Sequence, residues 1–263
     1  MTPKVESNET AADRDLVGSL ARGLQVMEIL AANPAGMTLT EMAEHAGLTR
    51  AGARRFLLTL VSTGYASQDG RKFMLSPRLL SLSRTWISNT SLWSFAEPFM
   101  RTLSQKLNES CSAAILADED VVYVARVAGH RILSVALHVG TRLPALSTAM
   151  GRMLLSKLPD HELRAFLARA KIHAHTPKTI TDPAKLERII IDAGKRGYAT
   201  MDEELEIGLR SIAVPIRNRD GEIVAAINIS AQSVRFSIAE MEEKILPHLR
   251  ETAGMIENYY VVH

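Results

Sequence analysis

One stretch, Thr38–Phe73, constrains this chain more than any other: TLTEMAEHAGLTRAGARRFLLTLVSTGYASQDGRKF. Thr38 and Glu41 make a T-x-x-E capping box that opens a short helix to about His45. Gly47 supplies a turn. Thr49 then caps a longer helix, Arg50 to about Thr63, which buries Phe56, Leu57 and Leu60. Gly64 stands where glycine closes helices, and Asp69-Gly70 between Tyr65-Ala66-Ser67 and Arg71-Lys72-Phe73 signals a hairpin. An earlier helix is expected from a Ser19 cap to about Ala32, with Leu20, Leu24, Met27 and Leu30 on its inner face. Asn33-Pro34-Ala35-Gly36 stops it. Helix, short helix, glycine turn, capped helix and hairpin is the order of a winged helix-turn-helix. Such a module sets the N-terminal end of its recognition helix against base edges in the major groove.

Charge supports that direction. From Ala46 to Arg84 there are seven basic residues and one acid, Asp69, so the window carries +6. The whole chain carries +2, which leaves −4 for the remainder. A basic module on a mildly acidic body is the layout of a DNA-binding protein. At the recognition end stand Thr49, Arg50, Ala51, Gly52, Arg54 and Arg55. Arginine can read guanine or grip phosphate, and the small Ala51 and Gly52 allow close approach. Thr38 and Thr40 are placed to hold phosphate, and Arg71 and Lys72 at the wing tip to reach backbone or minor groove.

The other classes are poorly supported. Cys111 is the single cysteine, in the apolar run SCSAAIL, so it reads as a buried thiol in a cytoplasmic chain. The polar start MTPKVESNETAADRD is no signal peptide, and no apolar run is long enough for a membrane span. Residues 1–12 are expected to be a disordered tail.

Beyond the hairpin, Ser76-Pro77 opens a linker helix, and a further helix runs from Leu92 to Leu107, bent or entered near Pro98. The pattern then turns to strands. Cys111–Ala117 and Val121–Val127 pair as a hairpin, Ile132–His138 is a third strand, and Gly140–Pro144 is a loop. Ser147–Leu158, Asp160–Arg169 and a helix capped by Asp182 and ended by Gly197 follow. Tyr198–Met201, Ser211–Arg217 and Glu222–Ala231 complete the strands, and an amphipathic helix from Ile238 to about Tyr260 closes the chain. The class is α+β. The domains are 13–76 (winged helix), 77–91 (linker helix) and 92–263 (a sheet flanked by helices).

No nucleophile motif, phosphate loop or dinucleotide fingerprint follows any strand. His173 and His175 are close together without a third ligand, so no metal or other cofactor is expected. Asp202-Glu203-Glu204 reads as a solvated loop or a partner for Arg210. An anionic ligand would need donors in an apolar recess, for which Arg126, Arg142 and Arg210 are the charged candidates. Each is weighed against a structural ion pair. Arg126 is singled out because Tyr123 and Val127 make its strand otherwise apolar.

From about Asp13 to Tyr260 the chain resembles the IclR family of bacterial transcriptional regulators. The resemblance rests on SLARGLQVMEIL, LTEMAEHAGLTRAGARRFLLTLVSTGY, GTRLPALSTAMGRMLL, DEELEIGLRSIAVPI and AAINIS. TRAGARRFLLTL, DEDVVYVARV and TPKTITDP look most like the PcaR/PcaU/PobR subgroup, which governs aromatic-acid catabolism. The resemblance implies a winged helix, a linker helix and a GAF-like effector domain with an antiparallel sheet. It implies double-stranded operator DNA and a small aromatic or dicarboxylic acid as ligands. It also implies self-association as a dimer or a dimer of dimers, with RNA polymerase as a further partner. The family's effector pocket falls on Ala149, Met150 and Gly151, on Met201, on Leu209 and Ser211, and on Asn228 and Ser230. Met150 and Asn228 depart from the small-keto-acid sensors and suit a planar aromatic acid. Two other readings stay open at this point. One is an enzyme of aromatic or keto-acid metabolism carrying a DNA-binding domain. The other is a constitutive DNA binder without ligand.

Overall fold

A computed structural model describes residues 17–79, 91–129 and 137–262. The chain divides into two compact units, Met1–Asn89 and Thr90–His263. The expected tail at 1–12, most of the linker helix and most of the strand expected at Ile132–His138 lie outside the described residues.

In the first unit, α1 (Gly18–Ala32) begins after Val17 with no side-chain cap, so Ser19 lies inside the helix rather than at its cap. The buried positions are Val26 and Leu30, whereas Leu20 and Leu24 are 62% and 51% exposed. The helix docks through its C-terminal half only, which periodicity within the helix does not reveal. β1 (Met37–Thr38), not expected from the sequence, pairs with β3 (Lys72–Leu75), which also pairs with β2 (Ala66–Asp69). The hairpin closes through Gly70 and Arg71, with Asp69 opposite Lys72 and Gly70 at φ +55°.

α2 (Leu39–His45) opens with the expected capping box. Thr38 N donates to Glu41 Oε2 at 2.7 Å, and Glu41 N donates back to Thr38 Oγ1 at 3.4 Å. α3 (Arg50–Ser62) is capped by Thr49 Oγ1, which accepts from Gly52 N at 3.1 Å. It ends in a paired closure: Tyr65 N donates to Leu60 O at 2.8 Å and Gly64 N to Val61 O at 3.0 Å, with Gly64 at φ +79°. Ala53, Leu57 and Leu60 face the core with Met42 and Phe73, while Phe56 is half-buried.

The second unit is built on a six-stranded antiparallel sheet of order β6-β5-β4-β9-β8-β7. Its strands are β4 (Ser110–Ala117), β5 (Asp120–Val127), β6 (Arg142–Pro144), β7 (Ala199–Asp202), β8 (Leu209–Arg217) and β9 (Ile223–Gln232). β6 corrects the loop expected at Gly140–Pro144; it adds to the edge of β5, with Val121 opposite Leu143. One sheet face carries Cys111, Ile212, Val214, Ile216, Ile227 and Ile229. That face packs on α4 (Ser91–Leu107), which continues through Pro98, and on the C-terminal helical stretch.

The other face is made of small residues, Ala114, Ala213 and Ala226. It packs on α5 (Ala149–Leu155), with α6 (Asp160–Arg169) and α7 (Pro183–Arg196) in the same core. α5 is shorter than expected. A 3₁₀ turn, Ala145–Ser147, precedes it, and Thr148 Oγ1 caps it by accepting from Gly151 N at 3.0 Å. α7 has its expected ends: Asp182 Oδ1 accepts from Ala184 N at 2.8 Å, and Gly197 takes φ +72°. The closing helix is not continuous. A π turn at Met241–Ile245 precedes α8 (Leu246–Glu257), where Pro247 has no N–H to offer the regular ladder.

Candidate nucleic-acid interface and ligand site

α3 turns one face to the core, so its remaining positions are settled by geometry. Thr49, Arg50, Ala51, Arg54 and Arg55 are exposed and Gly52 is partly so. The side chains of Arg50, Arg54, Arg55 and Arg71 have no hydrogen bond or ion pair among the described residues. Arg78 differs: it donates to Thr63 O at 2.7 Å and lies 5.1 Å over the Tyr65 ring, so it binds the end of α3 to the chain that follows. Lys72 Nζ reaches Ala35 O at 3.4 Å from the wing. Gly52 has a local reason beyond access, since a Cβ there would stand 3.2 Å from Thr49 Oγ1 and crowd the cap.

Thr38 is less available than its sequence position suggests. Its hydroxyl donates to Glu41 Oε2 at 2.9 Å and accepts from Glu41 N. These bonds hold the Glu41 carboxyl below its usual range, with Lys72 adding to the effect. An ionised carboxylate thus occupies the start of α2, where phosphate was expected. Thr40, exposed in the same turn, has no side-chain hydrogen bond among the described residues.

In the second unit the small-residue face carries a polar row. Register places Arg126 opposite Ser112, Ser112 opposite Asn228 and Asn228 opposite Ala213. The next row runs Ser110, Ser230, Ser211, Met201. Alternate strand residues share a face, so both rows point the same way. A bulge in β5 adds Tyr123 and Arg126 to that face together: Ala113 pairs with Ala125 but Ala114 with Tyr123, so Val124 is the extra residue.

Ser112, Ser211 and Asn228 are buried, and Arg126 is half-buried. Asn228 Nδ2 donates to Ser230 Oγ at 3.0 Å, whereas Asn228 Oδ1 is buried with no hydrogen-bond partner among the described residues. Arg126 Nη1 reaches Ser112 Oγ at 3.4 Å and has no carboxylate partner among the described residues. Burial draws its pKa below the usual arginine value, and burial pushes the Tyr123 phenol up to about 12.

A scan against family models decides what this architecture is. The model described as the IclR helix-turn-helix domain matches residues 19–70. The model described as the bacterial transcriptional regulator IclR C-terminal domain matches residues 84–258. The chain belongs to the IclR family of bacterial transcriptional regulators. This IclR-family chain is 40% identical over 238 residues to the Pca regulon regulatory protein of Pseudomonas putida, covering 90% of this chain and 82% of that one. It is 32% identical over 257 residues to the p-hydroxybenzoate hydroxylase transcriptional activator of Acinetobacter baylyi, covering 96% and 95% of the two. The crystal structure of an IclR homolog complexed with 4-hydroxybenzoate, from Microbacterium hydrocarbonoxydans, superposes with a TM-score of 0.83. That match has 26% identity and covers 93% of this chain and 100% of the other.

Within this IclR-family fold, Met150, Met201 and Tyr123 share one core with Ala149, beside the polar rows that hold Ser211, Asn228 and Ser230. Leu209 lies on the same side as Ser211 but out at Gln232, toward the strand end. Gly151 has a packing role. A Cβ there would lie 2.1 Å from Ala145 O and 2.4 Å from Ala145 Cα.

Arg142 is not brought to this set. It is on the edge strand, where its Nε donates to Asp120 Oδ2 at 3.0 Å and its Nη2 to Ala117 O at 3.1 Å, binding the β4–β5 turn. Arg210 points to the opposite face and is held by Asp202 at 2.5 Å and by Ser233 O at 2.6 Å. His173 and His175 are exposed. Among the described residues no group of three or more His, Cys, Asp or Glu could hold a metal. Likewise, no helix among them is long and apolar enough to cross a membrane.

Sequence reasoning missed Ser112 and the buried pair Arg152–Glu204. Arg152 is 2% and Glu204 6% exposed. The two meet in a fork, at 2.8 Å (Nη1–Oε1) and 2.7 Å (Nη2–Oε2). Arg152 Nε also donates to Leu146 O at 2.9 Å, and Ile180 N donates to Glu204 Oε2 at 3.0 Å. Both residues left a signal. Ser110 and Ser112 alternate with apolar neighbours, and an arginine inside Met150–Leu155 requires a buried carboxylate.

Proposed function

We propose that this chain is a ligand-responsive regulator of aromatic-acid catabolism that binds operator DNA as a homo-oligomer and is not an enzyme. Its working parts are residues 13–76 for DNA, 77–91 as connector and 92–263 for the effector, with most of the connector outside the described residues. The observation that carries the reading is a pairing within one chain. Among the described residues, exposed guanidiniums with no internal partner crown a helix-turn-helix, and a buried polar row with an unsatisfied acceptor lines the second unit's sheet. The likeness to regulators named for the Pca regulon and for p-hydroxybenzoate hydroxylase, and to a homolog complexed with 4-hydroxybenzoate, supports an aromatic-acid effector.

Thr40, Thr49, Arg50, Ala51, Gly52, Arg54 and Arg55 form the DNA face, with Arg71 and Lys72 on the wing. Thr38 acts through its capping box. Met150, Met201, Ser211, Asn228, Ser230 and Arg126 form the effector site, with Ala149 and Gly151 placing the helix over it. Self-association is supported by a groove of about 1140 Å³ in the first unit. Leu20, Leu24 and Met27 of α1 line it with Phe56, Leu60 and Tyr65. A single module buries too little surface for useful specificity, so two copies suit a paired operator. RNA polymerase is the partner through which such a regulator acts on transcription.

The test is binding to DNA from upstream of the protein's own gene, followed by anisotropy across a salt series, with and without 4-hydroxybenzoate. Affinity should fall steeply with salt and change with the acid. A salt-insensitive interaction, unmoved by 4-hydroxybenzoate or other hydroxybenzoates, would falsify the proposal.

A further inference from the structure

We infer that a chain of ion pairs carries the state of the effector site to α4: Arg152 with Glu204, Arg210 with Asp202 and Glu203, and Arg235 with Glu109. The inference rests on the effector reading above and assigns the route by which an occupied site acts outside itself.

The chain begins at the helix that covers the site. Arg152 is two positions from Met150 on α5, and its fork with Glu204 fixes α5 to the loop between β7 and β8. Arg152 also holds Leu146 O, so the turn before α5 is tied to the same point. The neighbouring Glu203 meets Arg210 at 3.7 Å. Arg210 takes Asp202 as well, and it donates to the carbonyls of Ser233 and Phe236 at 2.6 and 2.9 Å. Between those two carbonyls in sequence stands Arg235, which is bound to Glu109. Glu109 is tied to the last turn of α4 in both directions. Its N donates to Ser104 O at 3.2 Å, and Ser104 Oγ donates to its O at 2.7 Å. α4 is the helix that follows the connector in sequence.

Two observations separate this chain from ordinary fastening. Arg152, Glu204 and Glu109 are the three buried charged residues among the described residues, and all three belong to it. A buried ion pair adds little stability over well-packed apolar residues, so what these pairs supply is a fixed geometry.

The second observation is Glu203, whose φ of +56° is left-handed, a conformation that a glutamate keeps only while its surroundings hold it. Gly208 N and Lys178 Nζ hold its carboxylate at 2.9 and 2.8 Å, and Thr176 Oγ1 holds its carbonyl at 2.7 Å. Glu203 stands between the Arg152 fork and Arg210. A ligand that seats against Met150 bears on α5 and so on the fork. Once the fork shifts, Glu203 can leave its strained state, and Arg210 then releases or re-aims the 233–236 loop that carries Arg235. The chain therefore has two arrangements, which is what coupling between distant groups requires.

The experiment measures the affinity of the full chain for DNA from upstream of its own gene, with and without saturating 4-hydroxybenzoate or 3,4-dihydroxybenzoate. Acid affinity is measured alongside by calorimetry. In the unaltered protein the acid should change DNA affinity at least about fivefold. Glu109→Gln/Arg235→Gln removes the last pair without leaving either charge alone. It should bind the acid within about twofold of the unaltered protein, while the response of DNA affinity to the acid falls below about twofold. Glu97→Gln/Arg101→Gln removes an exposed pair on α4 outside the chain and should keep the full response. Hydrogen exchange on the unaltered protein decides the matter if the first variant fails to fold: the acid should change protection at Glu109 and across 203–208 together. A full response in the first variant, a lost response in the second, or unchanged exchange at Glu109 overturns the relay and leaves acid sensing standing. An unaltered protein whose DNA affinity neither acid moves overturns acid sensing and the relay with it.

Discussion

The arginines of the recognition helix and wing are treated differently from most arginines of the second unit. In the first unit, Arg50, Arg54, Arg55 and Arg71 project from α3 and the wing with no partner of their own among the described residues. In the second, Arg101, Arg142, Arg152, Arg164, Arg196, Arg210 and Arg235 each meet a carboxylate. The same side chain is left free where an external polyanion is to be met and is used as a fastener where the fold must hold. Arg126 is the instructive case in the second unit, a half-buried guanidinium whose one hydrogen bond among the described residues is to a serine hydroxyl. Charge counted along the sequence separated the basic module from the acidic body. It could not show which charges were already taken.

The largest test of that contrast is Arg152→Ala. It strands Glu204 inside the core with its fork partner gone, and removing one member of a buried pair costs about 3–5 kcal/mol. Urea unfolding of the full chain should show the second unit's transition fall by that amount. Arg54→Ala/Arg55→Ala should do the reverse, lowering operator affinity by about 2–4 kcal/mol and flattening its salt dependence while leaving the unfolding midpoint in place. If the double variant instead destabilised the protein, these arginines would be fasteners too and the contrast would collapse.

A smaller effect separates packing from ligand contact at the start of α5. Gly151→Ala places a Cβ against the Ala145 backbone, which cannot swing aside as a side chain can. The expected loss is about 1–3 kcal/mol in thermal or urea unfolding, seen without any ligand present. A variant of unchanged stability but altered acid affinity would return Gly151 to the ligand's side of the account.

What the sequence made legible is what it decides within a few residues. The Thr38–Glu41 box, the Thr49 and Asp182 caps and the Gly64 closure all use partners no more than five positions apart, and all stand where the sequence placed them. The misses are questions of docking. Leu20 and Leu24 share the apolar period of Met27 and Leu30, yet only the far end of α1 is covered. β6 exists because β5 offers it an edge. Arg152 finds Glu204 across 52 positions. The polar rows were half legible: alternation in β9 placed Asn228 beside Ser230. The bulge that turns Tyr123 and Arg126 to one face arises only when β5 pairs with β4.

The finest test compares two capping boxes of the same design, one in each unit. In the first, Glu41 receives Thr38 N and the Thr38 hydroxyl. In the second, Glu240 receives Ser237 N at 3.0 Å and the Ser237 hydroxyl at 3.0 Å, and Lys244 adds a bond at 2.9 Å to the other oxygen. Both carboxyls are depressed, led in each case by the backbone N–H, and Glu240 is lowered to about 2. A depressed carboxyl stabilises the fold above its ordinary value of 4.5, and that contribution is lost as pH falls toward the folded-state value. Glu240 should therefore keep its bonds to about pH 2, as read from the Ser237 amide in an NMR titration. Lys244→Met should move that midpoint upward without reaching 4.5, because the Ser237 bonds remain. Operator binding should not change. A midpoint unmoved by Lys244→Met would mean that the exposed lysine contributes nothing, as many surface ion pairs do, and that even in the second unit only the buried arginines act as fasteners.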